Sequence, residues 1–350
     1  MNNTSADIID LKGLTPREID QYCSNILGLQ PGQGTRVAIW LYRKNVENFD
    51  GMLDLNLRLR EQLKRHCRIS SLTADQRDIS EDGTIKLLYR LEDGNAVESV
   101  IIPGPGGRLT LCVSSQVGCA SGCDFCRTGS AGFIRNLTVS EMVNQVFATK
   151  KIVVAPVTNI VLMGIGEPLI NYEAIKTFVE IITDRNGMGY SPKKVTLSTC
   201  GIAPAIERMA GEMDVSLAVS LNAATDEVRD GIMPVNKTWP LARLMQALRF
   251  YCDKTGKTVT IEYVLFKGVN DSDDDAYRLM ELLKGFPCMI NVLMFNPFPG
   301  AVFERPDEER VYAFRNILLN HGFVAVVRNS RGRDIHAACG QLRAVSSRAS

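Results

Sequence analysis

The period of apolar and polar positions changes twice along the chain, and those changes divide it. Up to residue 82 the pattern is helical and polar. Thr15-Pro16-Arg17-Glu18 supplies an N-cap, a proline at the first helical position and an early acidic residue, and Ile19, Cys23, Ile26 and Leu27 follow at helical spacing. Two further helices are predicted over 36–42 and 55–66. From 83 to 104 the period is two, with apolar alternation on either side of Glu92-Asp93-Gly94-Asn95, which predicts a β-hairpin connector. Pro103-Gly-Pro-Gly-Gly107 marks the next boundary, and from 105 to 342 short apolar runs alternate with amphipathic ones. Strands are predicted over 109–113, 159–163, 194–198, 215–220, 259–265 and 290–295, with helices over 139–151, 172–183, 204–209, 241–254, 274–284 and 308–320. Six β/α units in series predict an α/β fold with a parallel sheet, followed by a short tail over 343–350.

Composition adds limits. With 45% hydrophobic and 23% charged residues in 350, the chain reads as an ordinary soluble protein. No N-terminal run resembles a signal peptide and no stretch has the length to span a membrane, so a cytoplasmic location is expected. A net charge of +1 means that any nucleic-acid contact must come from local patches. One such patch is Arg58, Arg60, Lys64, Arg65 and Arg68, with Glu61 the acidic residue among them; it reads either as a solvated helix face or as a phosphate-contacting surface. Nothing demands more than a monomer.

Among ten cysteines, the chemistry lies in Cys119-Ala-Ser-Gly-Cys123-Asp-Phe-Cys126. Three sulfurs at this spacing can face one cluster, and a four-position site held by three protein ligands leaves one position open. A zinc site would need a fourth ligand from a distance, since His66, His321 and His336 lie far along the chain. The loop follows the first strand of the β/α series, and in a barrel the reactive groups sit on loops leaving the C-terminal strand ends. The spacing resembles that of the radical S-adenosylmethionine (SAM) superfamily, whose fold is a partial (β/α)6 barrel, whose three cysteines hold a 4Fe-4S cluster and whose open iron chelates SAM.

The later strand ends fit that resemblance. Met163-Gly-Ile-Gly-Glu167-Pro168 resembles the segment that holds the SAM amino group, with Gly166 and Glu167 as the contacts. Ser198 and the run Ser220-Leu221-Asn222 place hydroxyl and amide groups for the ribose and carboxylate, and Asn296 is placed for the adenine. The segments 110–119, 163–172, 195–201, 217–222, 295–300 and 337–342 together resemble the RlmN/Cfr family of radical SAM RNA adenosine methyltransferases, over nearly the whole chain.

That resemblance implies several things. Cys339 would be the residue that carries a methyl group taken from one SAM, Cys112 the residue that resolves a protein-RNA adduct by disulfide formation, and Glu98 the base. Two SAM would be used per turnover. The RNA would be ribosomal, transfer or both, and the electron donor a flavodoxin or ferredoxin. Adenine C2 and C8 are poor nucleophiles, so a direct displacement on the methyl sulfonium does not reach them and a radical route is required. C2 is the leading target, with C8 or a different RNA as alternatives, and a non-catalytic RNA-binding or zinc-stabilised homologue as the reading from another class. The chain departs from the family at Asn222, where histidine is usual, at Arg333 and His336, where acidic residues are common, and at Arg127, where a small residue is common.

Overall fold

The computed structural model describes residues 8–343. The expected tail over 343–350 therefore lies outside the described residues except for Arg343. Ten strands form one sheet: β1 (Ala74–Ile79), β2 (Ile85–Arg90), β3 (Ala96–Pro103), β4 (Leu109–Cys112), β5 (Asn159–Leu162), β6 (Val195–Thr199), β7 (Ser216–Ser220), β8 (Val259–Leu265), β9 (Cys288–Met294) and β10 (Ala325–Arg328). They lie side by side in chain order. Strands β1 to β4 pair antiparallel, and β4 to β10 are all parallel, each joined to the next by helix.

The parallel strands are short, apolar and β-branched, and helices cover them. Tyr172–Thr183 and Glu308–Asn320 fall where the sequence predicts helices, as does Val139–Ile152, started by a capping box between Thr138 and Glu141. The sheet curls. The Arg328 Nη1, at the end of β10, comes within 4.0 Å of the Met163 sulfur just past β5, so the late edge of the parallel series faces its early strands across an open interior.

Several elements were not predicted. Ala74–Ile79, placed by its polarity in the helical region, is a polar edge strand that turns the hairpin into a three-stranded meander. Ala325–Arg328 adds a seventh parallel strand. Gln116–Gly118 and Phe133–Asn136 form a small ribbon around the cysteine loop, and Asp226–Ile232 is a helix after β7.

The N-terminal helices dock through specific contacts. Pro16–Asn25 is closed by the Thr15–Glu18 capping box, and it meets Gln33–Tyr42 so closely at Gly34 that a Cβ there would stand 2.4 Å from the Asp20 Cα. Lys12 is buried, with its Nζ donating to Asn144 Oδ1 at 2.8 Å and lying 4.5 Å from the centre of the Phe147 ring. Burial lowers its ammonium to about 8, against the pull of Asp10. Both partners sit on Val139–Ile152, so the accessory helices are pinned to the first covering helix of the barrel.

The basic helix Leu57–His66 resolves largely toward the solvated, internally paired reading. Arg60 donates to the Asp50 carbonyl, Lys64 pairs with Asp50 and Glu61, and Arg68 pairs with Glu92 and Asp10. Arg58 and Arg65 have no ion partner among the described residues.

Candidate active site

A cavity of about 360 Å³ opens at the C-terminal ends of the parallel strands. All three loop cysteines line it, and so do Cys112, at the end of β4, and Cys339 from the C-terminal segment. Gly166, Glu167, Ser198, Ser220, Asn222 and Asn296 line it as well. The parallel register explains the convergence: strands in step deliver their terminal residues to one rim.

The cysteine loop is shaped by backbone. At Gly118, with φ of +77°, a Cβ would stand 2.0 Å from the Gly132 carbonyl oxygen, and the Cys119 N–H donates to that same oxygen at 2.9 Å. Gly129 packs against the Cys123 backbone, where a Cβ would lie 2.7 Å from its carbonyl oxygen. The Cys123 thiol is pushed well up by burial and by Cys126 and Cys119 beside it, and burial also raises Cys119. Among the described residues no three such side chains converge on a single point as one ion requires. In a cubane each cysteine binds its own iron, and the three loop sulfurs on this one cavity are the donor type and number that such a cluster with one open iron takes.

Glu167 is buried with one carboxylate oxygen accepting from the Cys200 N–H at 2.7 Å and the other from the Leu169 N–H at 3.0 Å. Burial raises its carboxyl, so a cationic amino group placed beside it would be a favourable partner. Gly166 allows the approach: its φ is +105°, and a Cβ would stand 2.5 Å from the Gln116 Cβ. Asn222 adopts the left-handed conformation at φ of +59°, a region asparagine tolerates. Its Oδ1 accepts from the Val264 N–H at 2.9 Å and its amide nitrogen reaches the Met233 sulfur at 3.3 Å.

Two expected residues are not among those lining the cavity. Leu221 is buried, with its N–H donating to the Glu262 carbonyl and its own carbonyl accepting from Arg229. Glu98 faces the C-terminal segment instead, accepting from the Arg343 N–H at 2.8 Å, with Lys86 Nζ at 3.6 Å. Burial raises its carboxyl against the opposing pull of those two donors.

The C-terminal segment is held over the cavity from several sides. The Cys339 carbonyl accepts from Asn296 at 3.2 Å, and the Gly340 carbonyl accepts from the Arg127 N–H at 2.8 Å, directly beside the last loop cysteine. Thr128 donates to the Leu342 carbonyl at 2.7 Å. The Cys339 side chain is exposed and lines the cavity. Burial raises its thiol, and the Arg328 guanidinium opposes that rise. The Cys112 thiol is pushed up to about 12 by burial, with Cys339 the next contributor.

Three residues of the site escaped the sequence reading. Arg229 is fully buried beneath the strand ends, donating to the carbonyls of Leu221, Cys200 and Ser220 and to Asn236. Glu262 and Arg328 line the cavity as an ion pair with 3.8 Å between Oε1 and Nη1. Their only signal was a charged residue inside an apolar strand, which is visible for Glu262 in Val-Thr-Ile-Glu-Tyr-Val-Leu and invisible for Arg328 without the strand that carries it.

Comparison with known proteins agrees with this geometry. Residues 113–280 match the model of the radical SAM superfamily, and residues 9–69 match that of the ribosomal RNA large subunit methyltransferase N-terminal domain. The chain is 48% identical over 335 residues to the dual-specificity RNA methyltransferase RlmN of Syntrophotalea carbinolica, covering 96% of this chain and 90% of that one. It is 45% identical over 336 residues to the RlmN of Geobacter sulfurreducens, covering 96% and 92%. A crystal structure of a radical SAM methyltransferase from Sphaerobacter thermophilus superposes with a TM-score of 0.90 at 43% identity, covering 96% of this chain and 99% of that one. Because the likeness takes in the accessory helices, the cysteine loop and the C-terminal segment together, the chain belongs to the RlmN family of radical SAM RNA methyltransferases.

Proposed function

We propose that this protein methylates an adenosine carbon, C2 in the first place, in ribosomal RNA, transfer RNA or both, with Cys339 as the carrier of the transferred carbon. The observation that carries this reading is the meeting of Cys339 and Cys112 on the cavity that also holds the three loop cysteines. A radical enzyme that acts directly on its substrate has no use for two further thiols there.

Cys119, Cys123 and Cys126 would hold the cluster, and Gly166, Glu167, Ser198, Ser220, Asn222 and Asn296 would surround SAM. When bound, these groups supply the methyl group and a 5'-deoxyadenosyl radical. The chain does the rest. The Cys339 sulfur, having lost its proton, attacks the methyl group of one SAM and S-adenosylhomocysteine leaves, and the segment 337–342 holds the methyl over the cavity. Once the methyl has given up a hydrogen atom and its carbon has joined adenine, the adduct would return one electron to the cluster and Glu98 would take the ring proton. The Cys112 sulfur then forms a bond to the Cys339 sulfur, the Cys339 sulfur-carbon bond breaks, and its electron pair goes to the released carbon, which gains a proton. A second SAM would serve each turnover, and reductant would be needed twice: for the cluster, from a flavodoxin or ferredoxin, and for the Cys112–Cys339 disulfide, which must return to thiols before Cys339 can be methylated again.

Arg108 and Arg331 stand at the edge of the same cavity, where phosphates flanking the target would pass. The test is an anaerobic turnover with methyl-labelled SAM, reductant and unmodified RNA, followed by digestion to nucleosides and mass spectrometry. Label in 2-methyladenosine is expected. Label in 8-methyladenosine would move the target to the other carbon, and no labelled adenosine despite active SAM cleavage would overturn the reading.

A further inference from the structure

The chain leaving β9 is gripped from two sides. On one side stands Arg305, in the loop ahead of the helix Glu308–Asn320. Its Nη1 donates to the Phe295 carbonyl at 3.1 Å and reaches Asn296 Oδ1 at 3.5 Å, while Nη2 lies 3.1 Å from the Met294 sulfur. On the other side is the C-terminal segment: Asn296 Nδ2 donates to the Cys339 carbonyl at 3.2 Å, and Gln341 Nε2 donates to the Pro297 carbonyl at 2.8 Å. The loop that presents Arg305 is itself fixed, since the Glu304 carbonyl accepts from the Lys267 N–H at 3.0 Å and the Phe303 ring packs 4.8 Å from that of Phe266. Among the described residues no carboxylate lies within ion-pair distance of Arg305. A partly buried cation is thus given over to neutral atoms of three successive residues.

That contact decides how the Asn296 amide is turned. An amide side chain has nearly the same shape with its oxygen and nitrogen exchanged, so its neighbours choose between the two orientations. A guanidinium only donates, so Arg305 draws Oδ1 toward itself and leaves the NH2 group facing the Cys339 carbonyl. In the exchanged orientation two donors would meet at Arg305 and two oxygens at Cys339. Asn296 is buried, which makes such a mismatch costly. One N–H of the amide serves Cys339. The other has no acceptor among the described residues, and it belongs to a side chain that lines the cavity.

We propose that Arg305 is a positioning residue that fixes the Asn296 amide, so that one N–H holds the Cys339 carbonyl and the other meets the adenine of bound SAM. The proposal rests on the reading of this cavity as the SAM site. Because a single amide makes both contacts, occupancy of the cavity and docking of the segment 337–342 strengthen one another, each by the same factor. The carrier cysteine is then held in place while the nucleoside is bound and freer to move when the cavity is empty.

The test is hydrogen–deuterium exchange of the backbone amides of 337–342 in the anaerobic, cluster-loaded protein, with and without S-adenosylhomocysteine, which keeps the adenine and has no methyl group to give. In the unaltered protein the ligand should slow exchange in this segment about fivefold or more. Arg305→Met keeps an apolar stem and removes the donors, so the slowing should fall below about twofold and the dissociation constant for S-adenosylhomocysteine should rise by the factor of protection lost. Arg305→Lys, which keeps a donor, should restore most of both. The helix Glu308–Asn320 and β10 should exchange alike in all three proteins, a pattern that general loosening of the fold does not give. Slowing that is unchanged in Arg305→Met, or a loss that spreads equally to the helix and β10, overturns the proposal. If Arg305→Met does not fold, Asn296→Asp, which keeps the shape and removes both N–H groups, decides: it must lose the slowing, and retention overturns the proposal. Failure of S-adenosylhomocysteine to bind the unaltered protein would overturn the SAM-site reading and the proposal with it, whereas binding without the slowing overturns the proposal alone.

Discussion

The Glu98 carboxylate accepts a hydrogen bond from the backbone N–H of Arg343 at 2.8 Å, joining β3 to the end of the segment that carries Cys339. Lys86 strengthens the join, with Nζ at 3.6 Å from Glu98 and 2.7 Å from the Ile335 carbonyl. The proposed base is therefore held by the same stretch of chain that holds the carried carbon. Glu98→Gln keeps an acceptor for Arg343 and removes the base. It should leave SAM cleavage intact, lower RNA methylation by about 100-fold or more, and let a covalent protein-RNA species accumulate on denaturing gels. Normal release of methylated RNA by this variant would remove Glu98 from the role.

The cysteine loop depends on Gly118, whose missing side chain leaves room for the Gly132 carbonyl. Gly118→Ala forces a contact of 2.0 Å with that oxygen at a φ that side chains avoid, so the ribbon of Gln116–Gly118 and Phe133–Asn136 must open. The variant should fold around its unchanged sheet and fail to retain iron. Its visible absorption after anaerobic reconstitution is the measurement, and a full brown chromophore would contradict the account.

Arg229 joins four acceptors beneath the strand ends. Arg229→Met fills much of the volume and takes this donor from the Cys200 and Ser220 carbonyls and from Asn236 Oδ1, while the Leu221 carbonyl keeps the Ala223 N–H at 2.8 Å. At roughly 1–3 kcal/mol for each unsatisfied group, a loss of about 3 kcal/mol or more in unfolding free energy is expected, read by chemical denaturation of the apoprotein. A loss under about 1 kcal/mol would mean that water replaces the guanidinium.

Asp82 fastens the C-terminal segment, accepting from the Gly332 N–H at 3.0 Å. Partial burial works against its charge, but hydrogen bonds from Thr84 and the Gly332 N–H outweigh it and hold the carboxyl at about 2, below its ordinary 3.8. A carboxyl lowered by folding stabilises fully above its unfolded value, and that stabilisation is lost as pH falls through the folded one. Proteolysis near Gly332 by an acid-active protease should therefore accelerate as pH drops from 3.8 toward 2. Asp82→Asn should cost about 1 kcal/mol at neutral pH and flatten that acid dependence. An unchanged slope would place the fastening elsewhere.

The architecture was legible wherever a local pattern fixed it. The six strands of the β/α series, the capping box at Thr15 and the hairpin turn at Glu92–Asn95 are all written in periods and turn chemistry. Ala74–Ile79 and Ala325–Arg328 were not, because an edge strand of four to six residues buries little and carries little pattern. In the site, the loop cysteines, Cys112 and Cys339 were found by spacing and resemblance, and the fold brings them to one cavity. Glu262 and Arg328 act through partners far along the chain, which no local spacing encodes, and Arg229 acts mainly on nearby backbone carbonyls, which leave no mark in side-chain spacing. The same limit applies to Glu98, whose link to Arg343 spans 245 positions.

The most direct test of Cys339 as the carrier is a pulse and chase. Holoenzyme is exposed to methyl-labelled SAM, freed of it, and then given RNA, reductant and unlabelled SAM, with the Cys339 peptide and the RNA nucleosides read by mass spectrometry. The account predicts that label leaves the Cys339 sulfur and appears in methyladenosine in equal amount during the first turnover. Label that stays on Cys339 while unlabelled methyladenosine accumulates would contradict it.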